Sequence, residues 1–255
     1  MSLNKLVFPI SGVLLAIFIT TTMDATGYAV FSALPLIPLA GLGWYLEKHS
    51  RQSIGLIWGP TYGYFIAILY PALVLGSITL ITLALGATDT TDTDWEKTTI
   101  NIALMSSTGI IMVLITEEGF FRGWLWASLG KAGLSERWVL VVSSLLFTIW
   151  HLSAVSLDTG FDLPLQEIPI YLVNATLLGL IFGMTRMLSG SVVVAAVCHA
   201  IWNGFDYPLF GFGKKIGSLG IDQIQIYGPE VGLLGIVFNG FFAAALWYWM
   251  VQRSH

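Results

Sequence analysis

Charge is what this chain has least of. Of 255 residues, 11 are Lys or Arg and 15 are Asp or Glu, 10% in all, where a soluble domain carries about 25%. With 56% hydrophobic residues and a mean hydropathy of +0.79, the composition excludes an ordinary water-soluble domain. It predicts an all-α polytopic membrane protein whose solvent is the lipid bilayer. The formal net charge of -4 comes from acids gathered in a few loops, and it gives no sign of a nucleic-acid partner. Cysteine is nearly absent as well, and Cys198 alone excludes an internal disulfide. No internal repeat and no low-complexity linker is visible, so residues 1–255 read as a single membrane domain. Nor does a small-x-small cleavage site follow the first apolar run, where Thr20, Thr21, Thr22 and Met23 stand. That run reads as an uncleaved first helix.

What the chain does have is apolar length. A helix crossing ~30 Å of hydrocarbon needs about 20 residues, and breaks at Gly, Pro and charge clusters divide the sequence into about eight spans. They fall at 6–22, 28–46, 62–86, 101–129, 138–157, 168–188, 190–206 and 231–251. The fourth is too long for one vertical crossing and must tilt, break or lie partly in the interface. A re-entrant seventh would reduce the number to seven. With the amino terminus inside, Lys5, Lys48, Arg51, Arg122, Lys131, Arg137, Arg186 and Arg253 fall on or toward the inner side, against Lys97, Lys214 and Lys215 outside. The positive-inside rule then predicts both termini cytoplasmic. The outer loops carry a large share of the acids, among them Asp89, Asp92, Asp94, Glu96, Asp158, Asp162 and Glu167.

Ionisable side chains within a span cost roughly 2.5–3.5 kcal/mol each even on lenient insertion scales, so each needs a reason. Span four holds Glu117, Glu118 and Arg122, span five His151, and span seven His199 with Asn203. Helix rise from the presumed inner ends sets Glu117, His151 and His199 in one layer, roughly 13–20 Å deep. Three helices therefore converge on one polar pocket near mid-membrane. Glu118 and Arg122, at i and i+4, form a supporting ion pair along one helix face. Glu117 points about 100° away and is the carboxylate available for chemistry, with His151, to hold and deprotonate a water. His199 and Asn203, also i and i+4, suit a developing oxyanion. Asn174 and Asn239 read as packing amides. Trp124, Trp126, Trp138 and Trp150 read as interfacial or packing aromatics, and Cys198 as core.

The three patterns, Glu-Glu-x-x-x-Arg at Glu117, Glu118 and Arg122, Phe-x-x-x-His at Phe147 and His151, and His-x-x-x-Asn at His199 and Asn203, stand in order on separate helices. Together they resemble the CPBP family of intramembrane proteases, which includes the type II CAAX prenyl endopeptidases and bacteriocin-processing or immunity proteins. The resemblance covers about residues 100–210, the catalytic core. It implies hydrolysis of a peptide bond in a membrane-associated peptide or protein, prenylated or bacteriocin-like, with Glu117, His151, His199 and Asn203 at the family's functional positions. The family has been described both as metalloproteases and as enzymes using a glutamate-activated water. The residues themselves favour the second, with no cofactor required. A zinc hydrolase usually supplies three ligands and a separate base, and no His-Glu-x-x-His helix is present. The alternative is zinc on Glu117, His151 and His199. From other classes, a proton-coupled transporter or a non-enzymatic scaffold would also place ionisable groups in the membrane.

Overall fold

The structure, a computed structural model, describes residues 5–161 and 163–253, so Asp162 of the acidic loops lies outside it. Apolar composition becomes helix because backbone polar groups in hydrocarbon must be paired within the segment itself. In chain order the helices are α1 (Val7–Ala25), α2 (Leu36–Glu47, preceded by a 3₁₀ turn at Ala29–Phe31), the short α3 (Arg51–Ile54), α4 (Thr61–Ala84) and α5 (Trp95–Ile115). A π-helical turn, Gly119–Leu125, and α6 (Trp126–Lys131) continue α5. Then come α7 (Glu136–Trp150), α8 (Leu152–Ser156), α9 (Ile168–Ser189), α10 (Val192–Phe210), α11 (Ile224–Tyr227) and α12 (Leu233–Arg253). Strands β1 (Gly211–Phe212) and β2 (Lys215–Ile216) form a small antiparallel hairpin.

Among the described residues, seven helices are long and apolar enough to cross a membrane, not eight. The expected seventh span is present as α10, a continuous 19-residue helix. His199, Asn203 and Asp206 lower its hydropathy, and it falls outside that set. The overlong fourth span is one 37-residue segment, Trp95–Lys131, and it breaks. At Thr116 the backbone leaves helical geometry (φ -100°, ψ -97°), and the π-helical turn follows. The fifth span bends at His151, where α7 ends and α8 begins.

Loop contacts define two opposite faces. On one, Asp89 donates its backbone N–H to Gly220 O at 3.0 Å, Thr88 bridges Ile221, and Phe161 packs on Phe212 with ring centroids 5.7 Å apart. On the other, Val192 N–H donates to Gly55 O at 2.8 Å, Arg186 Nη2 to Ser53 O at 3.2 Å, and Lys131 Nζ to Glu47 O at 2.6 Å. Between the faces one large apolar core runs from Val13 to Leu246. Cys198 and Trp124 belong to it, as do Trp126 and Trp150, whereas Trp138 is 64% exposed on the lipid side. Trp124 fills the room that side chains at Gly12 of α1 and Gly43 of α2 would need, so the π-helical turn locks against both. Its indole N–H donates to Glu47 at 2.9 Å, and Ser128 donates to the same oxygen at 2.6 Å.

Asn174 and Asn239 do more than pack. Asn239 Nδ2 donates to Asn174 Oδ1 at 3.1 Å and to Pro229 O at 3.2 Å, and Asn174 Nδ2 donates to Glu230 O at 2.9 Å. The Tyr70 hydroxyl completes the chain with a 2.7 Å bond to Asn239 Oδ1. Lone amides in apolar helices are here the clamp that holds the backbone of 229–232 inside the protein.

Candidate active site

The break at Thr116 and the π-helical turn bring both glutamates to one histidine. An imidazole has its two nitrogens on opposite edges, and adjacent residues about 100° apart on a helix can take one each. Glu118 Oε1 lies 2.9 Å from His199 Nδ1, and Glu117 Oε2 lies 4.0 Å from His199 Nε2 and 3.7 Å from His151 Nε2. The last two separations exceed a direct hydrogen bond and suit a bridging water. The expected ion pair is there as well, with Arg122 Nη1 donating to Glu118 Oε1 at 3.2 Å. Glu118 is therefore not only the partner of Arg122. One of its oxygens holds both the Arg122 guanidinium and the His199 imidazole.

Acceptors fix the tautomers. Phe147 O accepts from His151 Nδ1 at 2.9 Å, and the Glu118 carboxylate accepts from His199 Nδ1, so each neutral ring turns an unprotonated Nε2 toward Glu117. Aromatic rings set the planes. His199 stacks on Phe182 (centroids 4.5 Å apart, 17° between planes), and Phe147 and Trp150 meet His151 edge-on at 4.4 and 4.7 Å. Phe147 also lies under the Arg122 guanidinium at 4.2 Å, a cation–π contact strengthened by desolvation. The Phe of the second motif thus supports both the Arg of the first and the two histidines.

Glu118 and Arg122 are fully buried. Arg122 Nη2 also donates to Gly179 O at 3.0 Å, and Arg186 Nε donates to Arg122 O at 3.2 Å. Glu117 and His151 keep side-chain exposures of 16% and 17%, so neither is sealed within the protein. Close helix packing puts His199 where it is: Gly109 meets Ala200, and Ser106 fills the space beside Gly204, so α5 and α10 approach through small residues. Asn203, one turn beyond His199, is half-buried and makes no hydrogen bond among the described residues. Glu117 lies within 4.0 Å of both His151 and His199, and Asn203 makes no hydrogen bond to any of the three. Among the described residues no three His, Cys, Asp or Glu side chains are grouped to hold a metal ion.

Three buried acids escape a sequence reading of the spans. Asp24 accepts from Ser153 at 2.7 Å, Glu230 accepts from the Trp202 indole at 2.7 Å, and the carboxyl of Asp206 bonds to that of Glu230. Asp24 is hidden when the first span is ended at residue 22, three short of the helix end at Ala25. Asp206 stands visibly in the expected seventh span, at its edge. Glu230 sits in a loop, drawn inward by the amide clamp on its backbone and by Trp202 on its carboxylate.

Residues 99–205 match the family model described as Type II CAAX prenyl endopeptidase Rce1-like. The matched segment spans α5 to α10 and contains all three motifs, and it bears out the resemblance read from them. It supports a CAAX-type intramembrane endopeptidase in general, acting on a membrane-associated substrate. No curated protein matches the chain, and no solved structure does.

Proposed function

We propose that the chain hydrolyses a peptide bond of a membrane-associated peptide or protein, with Glu117 as general base on a water shared with His151. One observation carries the reading: Glu117 faces the Nε2 atoms of two histidines whose other nitrogens are already engaged, while Glu118 and Arg122 are occupied with each other and with His199. A water bridging Glu117 and His151 Nε2 donates to both and turns a lone pair to the scissile carbonyl. Glu117 takes one proton from it as the C–O bond forms. In its imidazolium form, with Glu118 accepting from Nδ1, His199 donates its Nε2–H to the developing oxyanion. Asn203 adds a donor from the same helix. Arg122 keeps Glu118 ionised and in place, and acts through it.

The substrate we propose is a prenylated carboxyl-terminal segment, with a bacteriocin-like peptide as the second class. The test is purified protein in lipid vesicles offered both peptides, with products read by mass spectrometry. Cleavage by the wild type and none by Glu117→Gln, nearly isosteric, supports the reading. A Glu117→Gln variant that still cleaves would falsify the base assignment, and a wild type that moves protons or solute without cleaving anything would favour a transporter.

We propose further that no metal is required. The convergence of two Nε2 lone pairs on Glu117 favours zinc as the second reading. Glu117, His151 and His199 would hold the ion, which would supply Lewis-acid activation of water, and Glu118 and Phe147 O would orient the imidazoles. Activity after chelation, paired with metal analysis, decides between them. About one zinc per chain, with activity lost on removal and restored on return, would establish the zinc mechanism in place of the metal-free one.

A further inference from the structure

His199, Trp202 and Asp206 stand at i, i+3 and i+7 on α10 and so share a face. One turn past His199, Trp202 Nε1 donates to Glu230 Oε1 at 2.7 Å, and the Glu230 and Asp206 carboxyls are hydrogen-bonded to each other. Glu230 lies within electrostatic reach of His199 and Glu117. Two buried carboxyls in contact need a proton between them. Asp206 is 2% exposed, Glu230 7%, and Asp206 Oδ1 has no hydrogen-bond partner. Tyr171, on α9, is an independent unpartnered group. It is 6% exposed, its hydroxyl makes no hydrogen bond among the described residues, and it lies within electrostatic reach of Glu117, Glu230 and Asp206. Its ring lies 6.4 Å from that of His151. Tyr207 lies within electrostatic reach of the same acids and lines a cavity of about 730 Å³ beside the β-hairpin.

A structural clasp between loop and helix could be built from amides. Two acids with an orphan oxygen, beside an unpartnered phenol and within electrostatic reach of the proposed base, call for a donor that none of the described residues supplies. Peptide hydrolysis makes such a donor, because it releases an amine. We propose that Asp206 and Glu230, with Tyr171, form an amine-receiving subsite that takes up the amino group freed when the peptide bond breaks.

The proposal rests on the endopeptidase reading for its biological role, and its protons balance. Water gives its oxygen to the carbonyl carbon and one proton to Glu117. The C–N bond then breaks with its electron pair on nitrogen, and Glu117 returns that proton to the nitrogen, leaving a neutral amine and a new carboxylic acid. The amine takes the proton shared by Asp206 and Glu230 and becomes an ammonium held by two carboxylates. As the ammonium leaves past Tyr207, the new carboxylic acid gives its proton by way of Glu117 to the pair, which is restored. The products depart as carboxylate and ammonium, with no outside reactant.

The test reads binding and needs no turnover. Leu-Leu amide, with a free α-amino group, and its N-acetylated form are titrated by calorimetry into full-length Glu117→Gln protein in detergent micelles. The free amine should bind about tenfold or more tightly than the acetylated form, as expected for one added charge-assisted contact. Asp206→Asn and Glu230→Gln, introduced singly, should bring that ratio close to one and leave the acetylated form's affinity unchanged. Where either acid variant fails to fold, Tyr171→Phe, which loses only a hydroxyl, should lower the ratio by itself. Equal binding of the two peptides, or a preference that survives the substitutions, overturns the subsite. Amine preference in a wild-type chain that cleaves nothing would retain the subsite and reject the protease reading instead.

Discussion

Glu117 and Glu118 are neighbours in sequence with different partners in space, and the difference sets what each substitution does. Glu118 has no exposure, and its Oε1 is shared by Arg122 and His199. Glu118→Gln keeps the shape but removes the charge that orients the imidazole, so kcat should fall about 10–100-fold, the range for a residue acting through a functional histidine. KM should change little, since Glu118 is fully buried and out of a substrate's reach. Full activity in this variant would separate His199's function from its carboxylate. Arg122→Met leaves Glu118 as a buried carboxylate without its cation and should cost roughly 3–5 kcal/mol. Adding Glu118→Gln to Arg122→Met should recover part of that stability, readable as a rise in melting temperature of the double variant over Arg122→Met alone.

At the scale of elements, the site depends on two features of α5. Its break at Thr116 and the π-helical turn change the register in which side chains leave the helix, and that lets consecutive glutamates take opposite edges of one ring. Its small-residue seam with α10 then sets the distance to His199. At Gly204 an added methyl would meet both the side chain and the backbone of Ser106. Gly204→Ala should therefore force α10 outward, cost about 1–3 kcal/mol as overpacking does, and lower turnover by shifting His199 from Glu117. Gly76 of α4 is the control, because a Cβ there meets nothing within 4 Å. Gly76→Ala should be neutral or slightly stabilising by helix propensity. Equal melting temperatures and activities for the two variants would show that the seam does not govern the site.

For the whole molecule, the question is which face looks inward. The face formed by residues 48–60, 131–135 and 189–191 gathers Lys48, Arg51 and Lys131, with buried Arg186 beneath it donating to Ser53 O, and the opposite face carries the acidic loop 87–94. The positive-inside rule predicts that the basic face is cytoplasmic. Cys198 is buried and the sole cysteine, so the native chain is a silent background for labelling. An impermeant maleimide added to intact cells should label Thr91→Cys and spare Gln52→Cys until the membrane is opened. Both positions are exposed, so access to either is decided by the bilayer. Labelling in the reverse order would invert the topology.

Some of this was already in the amino-acid order, because its causes are local. Scarce charge and long apolar runs dictate helices in lipid, and burial is so costly there that Glu117, His151 and His199 could be singled out before any contact was known. The i, i+4 pairing of Glu118 with Arg122 is likewise a property of one helix. Other features required the folded chain. Nothing in residues 115–126 announces a π-helical turn, since it is stabilised by Trp124 wedged against Gly12 and Gly43, more than 80 residues away. The second bond of Glu118, to His199, joins elements 81 residues apart. Glu230 looks like a loop acid until Asn174 and Asn239 draw its backbone inward. Span periodicity tells which residues must be buried. Which buried polar groups meet is decided by the packing of helices far apart in sequence, where close approach, not local propensity, sets the distances.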